Sequence, residues 1–168
     1  VKCMFAQRII NEVRVYLNRI LIIEPENVES IKDLGNSYLL VGEVDEAKKI
    51  YRKAVEIDDQ YAPALTNLGM IEVMHGEKEK GLSLLIKATK VAPNLFAAWM
   101  NLGNSYLKLG KTKEAESSFR KVLEINPDFS QINMKLADLL IDKGELEEAL
   151  NFLGKVIEIE PNSIEANY

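Results

Sequence analysis

Apolar positions follow a helical period in the stretch from Trp99 to Pro127. A first apolar stripe begins at Trp99 and continues through Leu102 and Tyr106, and a second has spacings of four and three: Ala115, Phe119 and Val122. Such spacing places each set on one face of an α-helix. Gly110 lies between the stripes and can take the left-handed conformation that ends many helices, whereas Pro127 cannot continue one. The pattern therefore predicts two helices joined by a turn at Gly110.

A small residue lies inside the first of these predicted helices. Gly103 is four residues after Trp99, so the two lie on the same helical face. We expect the ring of Trp99 to fill the space that the missing Cβ of Gly103 opens for a neighbouring helix.

The same pattern recurs at an interval of about 34 residues. The small position in the first helix is held by Gly35, Gly69, Gly103 and Ala137. The turn position is held by Gly42, Gly76, Gly110 and Gly144, and a core leucine by Leu34, Leu68, Leu102 and Leu136. The small position in the second helix is held by Ala47, Gly81, Ala115 and Ala149, and the last position by Pro25, Asp59, Pro93, Pro127 and Pro161. Because one such helix pair cannot bury its apolar face alone, this regularity predicts stacked repeats.

The residues at these positions resemble the motif of the tetratricopeptide repeat (TPR). The motif is matched in order by Trp99, Leu102, Gly103, Tyr106, Ala115, Phe119 and Pro127. The resemblance extends over residues 9–168. It implies an all-α, right-handed superhelical solenoid of antiparallel helix pairs, in which the first helices line the concave side and the second helices line the convex side.

The repeats predict a single solenoid that spans the whole chain. We expect full repeats at 28–61, 62–95, 96–129 and 130–163. Residues 1–27 form a partial, irregular repeat in which Arg8 replaces the turn glycine, so its first helix is either missing or fused into one longer helix. Residues 164–168 resemble the start of a truncated repeat, and we interpret the chain as a fragment of a longer solenoid.

Three residues depart from the repeat pattern. Glu72 takes the place of a core aromatic residue, Asn133 takes the place of Trp99, and Asp59 replaces a proline. A buried polar group without a partner costs about 1 to 3 kcal/mol, so each departure is expected to loosen the local packing. The repeat around Trp99 is expected to be the best packed.

Composition and charge exclude several classes of partner. The chain carries a net charge of -5 with a pI near 5.1, and no basic stripe that would suit a nucleic acid is present. No apolar run approaches the roughly 20 residues that span a bilayer, so membrane insertion is not expected. A single cysteine, Cys3, cannot form an internal disulfide, which agrees with a reducing compartment such as the cytoplasm without identifying one.

Candidate chemistry is sparse. The single histidine, His75, falls in the last turn of a predicted first helix, where an imidazole complements the negative helix end. The glycine-containing stretches 35–39 and 103–107 fall within helices rather than at a strand-to-helix turn, so they do not predict a phosphate site. We also find no metal-ligand spacing. The sequence predicts a protein that is not an enzyme and holds no cofactor or metal.

The resemblance instead predicts a peptide-binding groove. Its candidate residues lie on the exposed face of the first helices: Lys32, Asn36, Asn67, Met70, Met74, Met100, Asn101, Asn104, Lys108 and Lys135. The same face would also include Glu29, Asp33, Leu40, Thr66, Met134, Asp138 and Asp142. Methionine is flexible and polarisable, so the methionines would form an adaptable apolar floor.

The asparagines of this face occur at two repeat positions. One is held by Asn67 and Asn101 and the other by Asn36 and Asn104. An amide both donates and accepts, so a row of asparagines can pair with the main chain of an extended peptide. The arrangement resembles the asparagine ladder of the O-linked N-acetylglucosamine transferases, although Asp33 and Lys135 interrupt it. The alternative is that these are consensus residues of the family that solvate the groove without a ligand.

A second resemblance is to the carboxylate clamp of co-chaperone TPR domains. Lys32, Asn36 and Asn67 stand at three clamp positions, but Ala97 and Asn101 stand where a lysine and an arginine belong. Losing two charge-assisted hydrogen bonds of about 1.5 to 3 kcal/mol each disfavours a clamp.

Three hypotheses follow. The preferred one is a protein-interaction scaffold that holds a partner peptide or helix in its groove, and it predicts that replacing Asn67 or Asn101 by alanine weakens binding by about 0.5 to 1.5 kcal/mol each. The second is the substrate-recruiting arm of a larger enzyme such as a glycosyltransferase. The third is self-assembly through residues 1–23 or 146–168, since Leu150, Leu153 and Ile157 lack a full covering repeat.

Overall fold

The chain folds into α-helices throughout the part that the structure describes. In this computed structural model the described residues are 2–161, with side chains from Gln7 onward. Nine helices and no strand occur in that range: α1 (Lys2–Ile23), α2 (Val28–Leu39), α3 (Val44–Ile57), α4 (Ala62–His75), α5 (Lys78–Val91), α6 (Phe96–Lys108), α7 (Thr112–Ile125), α8 (Ser130–Lys143) and α9 (Leu146–Ile159). None of these helices combines the length and the apolar character needed to cross a bilayer. The expected all-α repeat fold is confirmed.

The helices after α1 form four pairs: α2 with α3, α4 with α5, α6 with α7, and α8 with α9. By their contacts, α1 to α5 form one compact unit and α6 to α9 form a second. The recurrent leucines lie in the core, each no more than 4% exposed. The truncated repeat expected at 164–168 lies outside the described residues, as does the side chain of Cys3.

The N-terminal helix resolves the ambiguity of the irregular repeat. Residues 2–23 form one uninterrupted helix of 22 residues, compared with 12 to 14 in the others. Arg8 lies inside this helix rather than at a turn. No turn therefore separates residues 2–7 from the rest of α1, which favours the fused arrangement at this position.

Three of the four turn glycines take the left-handed conformation. Gly42, Gly110 and Gly144 have φ of 78°, 71° and 78°. Gly76 differs from the prediction, with a φ of -142°. A Cβ at Gly76 would lie 2.1 Å from Oε2 of Glu72. Glycine is therefore required there by the carboxylate beside it rather than by the backbone conformation.

The small residues of the first helices lie against rings from the second helices. A Cβ built on Gly35 would lie 2.6 Å from the ring of Tyr51, and one on Gly103 would lie 2.6 Å from the ring of Phe119. The prediction that Trp99 fills the space at Gly103 was wrong. Trp99 is half-buried, and its Nε1 donates to the carbonyl of Pro93 at 2.8 Å.

The pair α4 and α5 makes direct backbone contact. A Cβ on Gly69 would lie 2.9 Å from the carbonyl oxygen of Gly81, and one on Gly81 would lie 2.6 Å from the backbone nitrogen of Val73. Because both facing positions are glycine, the two backbones approach without an intervening side chain. In the repeat around Trp99 the corresponding glycine, Gly103, meets the ring of Phe119 instead of a facing backbone.

Glu72 is buried but well partnered. Its side chain is 1% exposed, and its carboxylate accepts hydrogen bonds from Nζ of Lys48 at 2.8 Å and Nη2 of Arg52 at 3.2 Å. The backbone N–H of Glu77 adds a third at 3.3 Å. The expected loosening is not found, because two cations and an amide replace the water that the carboxylate loses.

Asn133 and Asp59 are likewise accommodated. Asn133 is fully buried, and its Nδ2 donates to the carbonyls of Pro127 at 3.0 Å and Phe129 at 3.1 Å. Pro127 stands 34 residues after Pro93, so the amide reproduces the hydrogen bond that Trp99 makes in the preceding repeat. Its Oδ1 alone has no partner among the described residues. Asp59 is exposed and pairs with Lys87 at 2.6 Å.

Candidate functional site

Two of the predicted asparagines contact each other in the first unit. Nδ2 of Asn67, on α4, donates to Oδ1 of Asn36, on α2, at 3.1 Å. The hydroxyl of Tyr51 donates to the same oxygen at 2.6 Å. A carbonyl oxygen has two lone pairs, so the acceptor of Asn36 is fully used within the protein.

Tyr51 is the reason for this arrangement. Its side chain is completely buried, because the absent Cβ of Gly35 leaves room for the ring beneath α2. A buried hydroxyl needs a partner, and Asn36 supplies it at the edge of the core. Burial raises the pKa of Tyr51, so its hydroxyl remains protonated and stays a donor. Asn36 therefore has a structural role in addition to any binding role.

The predicted lysine of this unit is also engaged. Lys32 forms ion pairs with Glu29 and, at 3.0 Å, with Asp33. Burial alone would lower the pKa of Lys32, but the hydrogen bonds to these two carboxylates outweigh it and raise the pKa. The hydroxyl of Tyr61 donates to the other oxygen of Glu29. Lys32 thus has its counterions within the chain, and this disfavours a carboxylate clamp further.

The two methionines of the first unit have different surroundings. Met70 is half-buried and packs against a core cluster that includes Tyr51 and Leu68. Met74 lies one turn further along α4 and is 50% exposed. Of the two, Met74 alone has half of its surface open to solvent.

The equivalent asparagines of the second unit differ from those of the first in their hydrogen bonding. Asn101 and Asn104 are half-buried on α6. Among the described residues, neither side-chain amide makes a hydrogen bond, in contrast to Asn36 and Asn67. Both partners of Asn36 are replaced around Asn104. Phe119, which has no hydroxyl, occupies the place of Tyr51 fifteen residues after the asparagine, and Lys135 occupies the place of Asn67 thirty-one residues after it.

Phe119 also positions two other candidates. Its ring is fully buried against Gly103, and Nζ of Lys135 lies 6.0 Å from the ring centroid, within reach of a cation–π attraction. Met100 is half-buried against the same core cluster. Lys108, in the last turn of α6, is exposed.

The structure therefore groups the ten candidates by unit. Lys32, Asn36, Asn67, Met70 and Met74 belong to the first unit, and Met100, Asn101, Asn104, Lys108 and Lys135 belong to the second. Sequence reasoning missed Tyr51, although the difference between Tyr51 and Phe119 at one repeat position was readable. Within the described residues no group of histidine, cysteine or acidic side chains could hold a metal ion.

Comparison with family models agrees with the helix pairing. Three models, each of them described as a tetratricopeptide repeat, match residues 33–61, 66–128 and 106–168. A search of curated protein sequences finds no match.

Solved structures show the same fold. A crystal structure of MamA is 27% identical, covering 90% of this chain and 88% of its own, with a TM-score of 0.75. The PilF structure from Pseudomonas aeruginosa is 23% identical, covering 95% and 73%, with a TM-score of 0.84. The structure of YrrB, described as a TPR protein with an unusual peptide-binding site, is 23% identical, covering 90% and 78%, with a TM-score of 0.76. The repeat spacing, the helix pairs and these matches agree, and the chain belongs to the tetratricopeptide-repeat family.

Proposed function

We propose that the chain is a protein-interaction scaffold whose second unit holds an extended segment of a partner protein against α6. The observation that carries this proposal is the state of Asn101 and Asn104. The two amides are neighbours on one helical face and form no hydrogen bond with any described residue.

The chemistry of these side chains suits a peptide main chain. An extended peptide presents an N–H and a C=O at each residue, and an asparagine amide can pair with both. Met100 adds an adaptable apolar contact next to the amides. Lys108 on α6 and Lys135 on α8, the first helices of the two repeats in this unit, add positive charge, which suits a carboxylate on the partner.

The first unit makes a smaller contribution in this proposal. Asn36 and Asn67 already bond each other, and a ligand would have to compete for these groups. We therefore expect the two asparagines of α6 to contribute more to binding than Asn67, instead of the equal effect of Asn67 and Asn101 that sequence reasoning predicts.

A random peptide library provides the test. Peptides selected on the intact chain would be labelled, and their affinity measured by fluorescence anisotropy. Asn101→Ala and Asn104→Ala should each weaken binding about 2- to 12-fold, which corresponds to a hydrogen bond of about 0.5 to 1.5 kcal/mol. The matched control is Asn151→Ala, at an exposed asparagine of α9, a second helix. This control should leave the affinity unchanged.

Two results would reject the proposal. One is a library that yields no peptide retained by the chain. The other is a set of peptides whose affinity is the same for wild type and for the double variant of Asn101 and Asn104. Circular dichroism of each variant shows whether the helices remain intact, so that loss of fold is not mistaken for loss of binding.

A further inference from the structure

An apolar stripe on α1 is left open to solvent. Ile9, Val13, Tyr16 and Ile20 recur at spacings of four, three and four, and they are 44%, 42%, 64% and 40% exposed. This is the heptad spacing of a coiled-coil contact. We propose that this stripe, which we name the α1 seam, pairs antiparallel with the α1 seam of a second copy of the chain.

The helix that carries the seam is held in place by a different face. The guanidinium of Arg14 lies 3.9 Å from the ring centroid of Tyr38 on α2. The same guanidinium donates to Oγ of Ser37 at 3.1 Å and to the carbonyl of Ser37 at 3.0 Å. Leu17 and Leu21 are half-buried on this side. One face of α1 therefore packs against α2, and the α1 seam lies on the neighbouring face of the same helix.

Two of the residues that correspond to the α1 seam in the next repeat are covered by other helices. By the 34-residue interval, Val13 and Ile20 correspond to Ala47 and Ala54 of α3, and both alanines are fully buried. Those alanines lie in core clusters with residues of α2, the first helix of their own repeat. At α1 the chain continues as a helix through residues 2–8 instead of forming such a first helix. No described segment of the chain covers the seam.

The register of an antiparallel pair follows from the spacing. When Val13 lies opposite Tyr16 of the second copy, Ile20 lies opposite Ile9 of that copy, and two-fold symmetry repeats both contacts. All four seam residues then have an apolar partner. The seam is self-complementary in this orientation.

The charged residues beside the α1 seam favour a second copy of this chain as its binding partner. Glu12 and Arg19 are seven residues apart and flank the seam on the same side. In the antiparallel register Glu12 faces Arg19 of the second copy and Arg19 faces its Glu12, so two opposite-charge pairs form at once. In the single chain both groups are near the seam: Glu12 accepts from Arg8 at 3.1 Å, and Arg19 lies 5.9 Å from the ring centroid of Tyr16.

The expected complex is weak. The seam has four contact positions on one helix, whereas stable interfaces bury about 1,200 to 2,000 Å² in total. We expect a dimer in the micromolar range that dissociates on dilution.

Sedimentation velocity over a range of protein concentrations tests the proposal. Wild type should form a dimer at high concentration, and Glu12→Arg or Arg19→Glu should each weaken it about three- to tenfold, because like charges then face each other. A mixture of these two variants should dimerise more strongly than either alone, since one chain then carries two positive charges beside the seam and the other two negative charges. The double variant E12R/R19E should recover dimerisation.

Two controls keep the result specific. Glu46→Arg changes the charge by the same amount at an exposed position of α3 and should have no effect. Val15 and Ile22 are also exposed apolar residues of α1 but lie off the seam. Their joint replacement by glutamine should preserve the dimer, whereas joint replacement of Val13 and Ile20 should abolish it.

Three outcomes would overturn the proposal. The first is a monomer at every concentration. The second is a mixture of the two charge variants that associates no better than each variant alone. The third is a dimer that persists in all α1 variants and is lost with Leu150→Lys, which would place the contact at the exposed Leu150 of α9.

Discussion

A methyl group added at Gly103 tests whether the repeat depends on close approach of its helices. A Cβ at this position would lie 2.6, 2.8 and 3.0 Å from three carbons of the Phe119 ring. That ring is completely buried, so it cannot swing into solvent. Relief requires α6 and α7 to separate or the ring to leave its preferred position.

The two effects of Gly103→Ala oppose each other. Replacing glycine by alanine within a helix gains about 1 kcal/mol of helix propensity. Overpacking a closed core costs about 1 to 3 kcal/mol, and a contact as short as 2.6 Å belongs at the upper end of that range. We expect a net loss of about 1 to 2 kcal/mol in the free energy of unfolding.

The chain supplies a matched control for this substitution. Gly154 also lies within a helix, α9, but a Cβ there would meet nothing within 4 Å. Gly154→Ala should therefore gain about 0.5 to 1 kcal/mol. Urea unfolding followed by far-ultraviolet circular dichroism measures both variants, and their midpoints should shift in opposite directions.

A third variant identifies the cause. Combining Gly103→Ala with Phe119→Leu removes the ring that the methyl group meets, so the penalty of Gly103→Ala should be smaller in that background. If Gly103→Ala instead stabilises the chain as much as Gly154→Ala does, close approach at this position contributes nothing and the reasoning fails.

Three further predictions concern the buried polar groups. Glu72→Gln leaves the partly exposed Lys48 and Arg52 without their counter-charge and should cost about 1 to 3 kcal/mol in urea unfolding; a loss below about 0.5 kcal/mol would contradict it. Burial raises the pKa of Glu72, but the hydrogen bonds from Lys48 and the Glu77 N–H outweigh it and hold the pKa below 4.5. The ionised form is thus favoured by folding, so wild-type stability should fall as the pH drops below about 4.5, and the profile of Glu72→Gln should be flatter. Tyr51→Phe removes the hydroxyl bonded to Asn36 and should cost about 1 kcal/mol, and a double-mutant cycle with Asn36→Ala should return a coupling of similar size.

Much of the fold could be predicted from spacing alone. The apolar period and the recurring leucines depend only on which face of a helix meets the core, and this property repeats every 34 residues. The left-handed glycines at 42, 110 and 144 follow from the same local chemistry.

The contacts across helices could not be predicted in the same way. Spacing shows that Gly103 faces a neighbour, but it does not show which ring fills the space, and Phe119 rather than Trp99 does so. The space for a side chain at Gly76 is taken by the carboxylate of Glu72, which is held in place by two cations from another helix. Such arrangements depend on residues that are distant in the sequence and vary from repeat to repeat.

The candidate site shows the same limit. The faces of Asn36 and Asn104 follow from the repeat, yet their hydrogen bonding differs because Phe119 and Lys135 replace the partners Tyr51 and Asn67. Whether the groups of the second unit bind a peptide remains a proposal, since binding depends on a partner as well as on the groups that the fold exposes.

The exchange of Tyr51 for Phe119 has a consequence for how repeat arrays diversify. The buried hydroxyl of Tyr51 adds a hydrogen bond that helps commit the amide of Asn36 to its own chain, and Asn104 lacks that bond. Copies of one motif can therefore come to differ in what their surface amides bind through a change at a buried residue. A survey restricted to solvent-facing positions would miss this part of the difference, which lies at the buried residue fifteen positions after the asparagine.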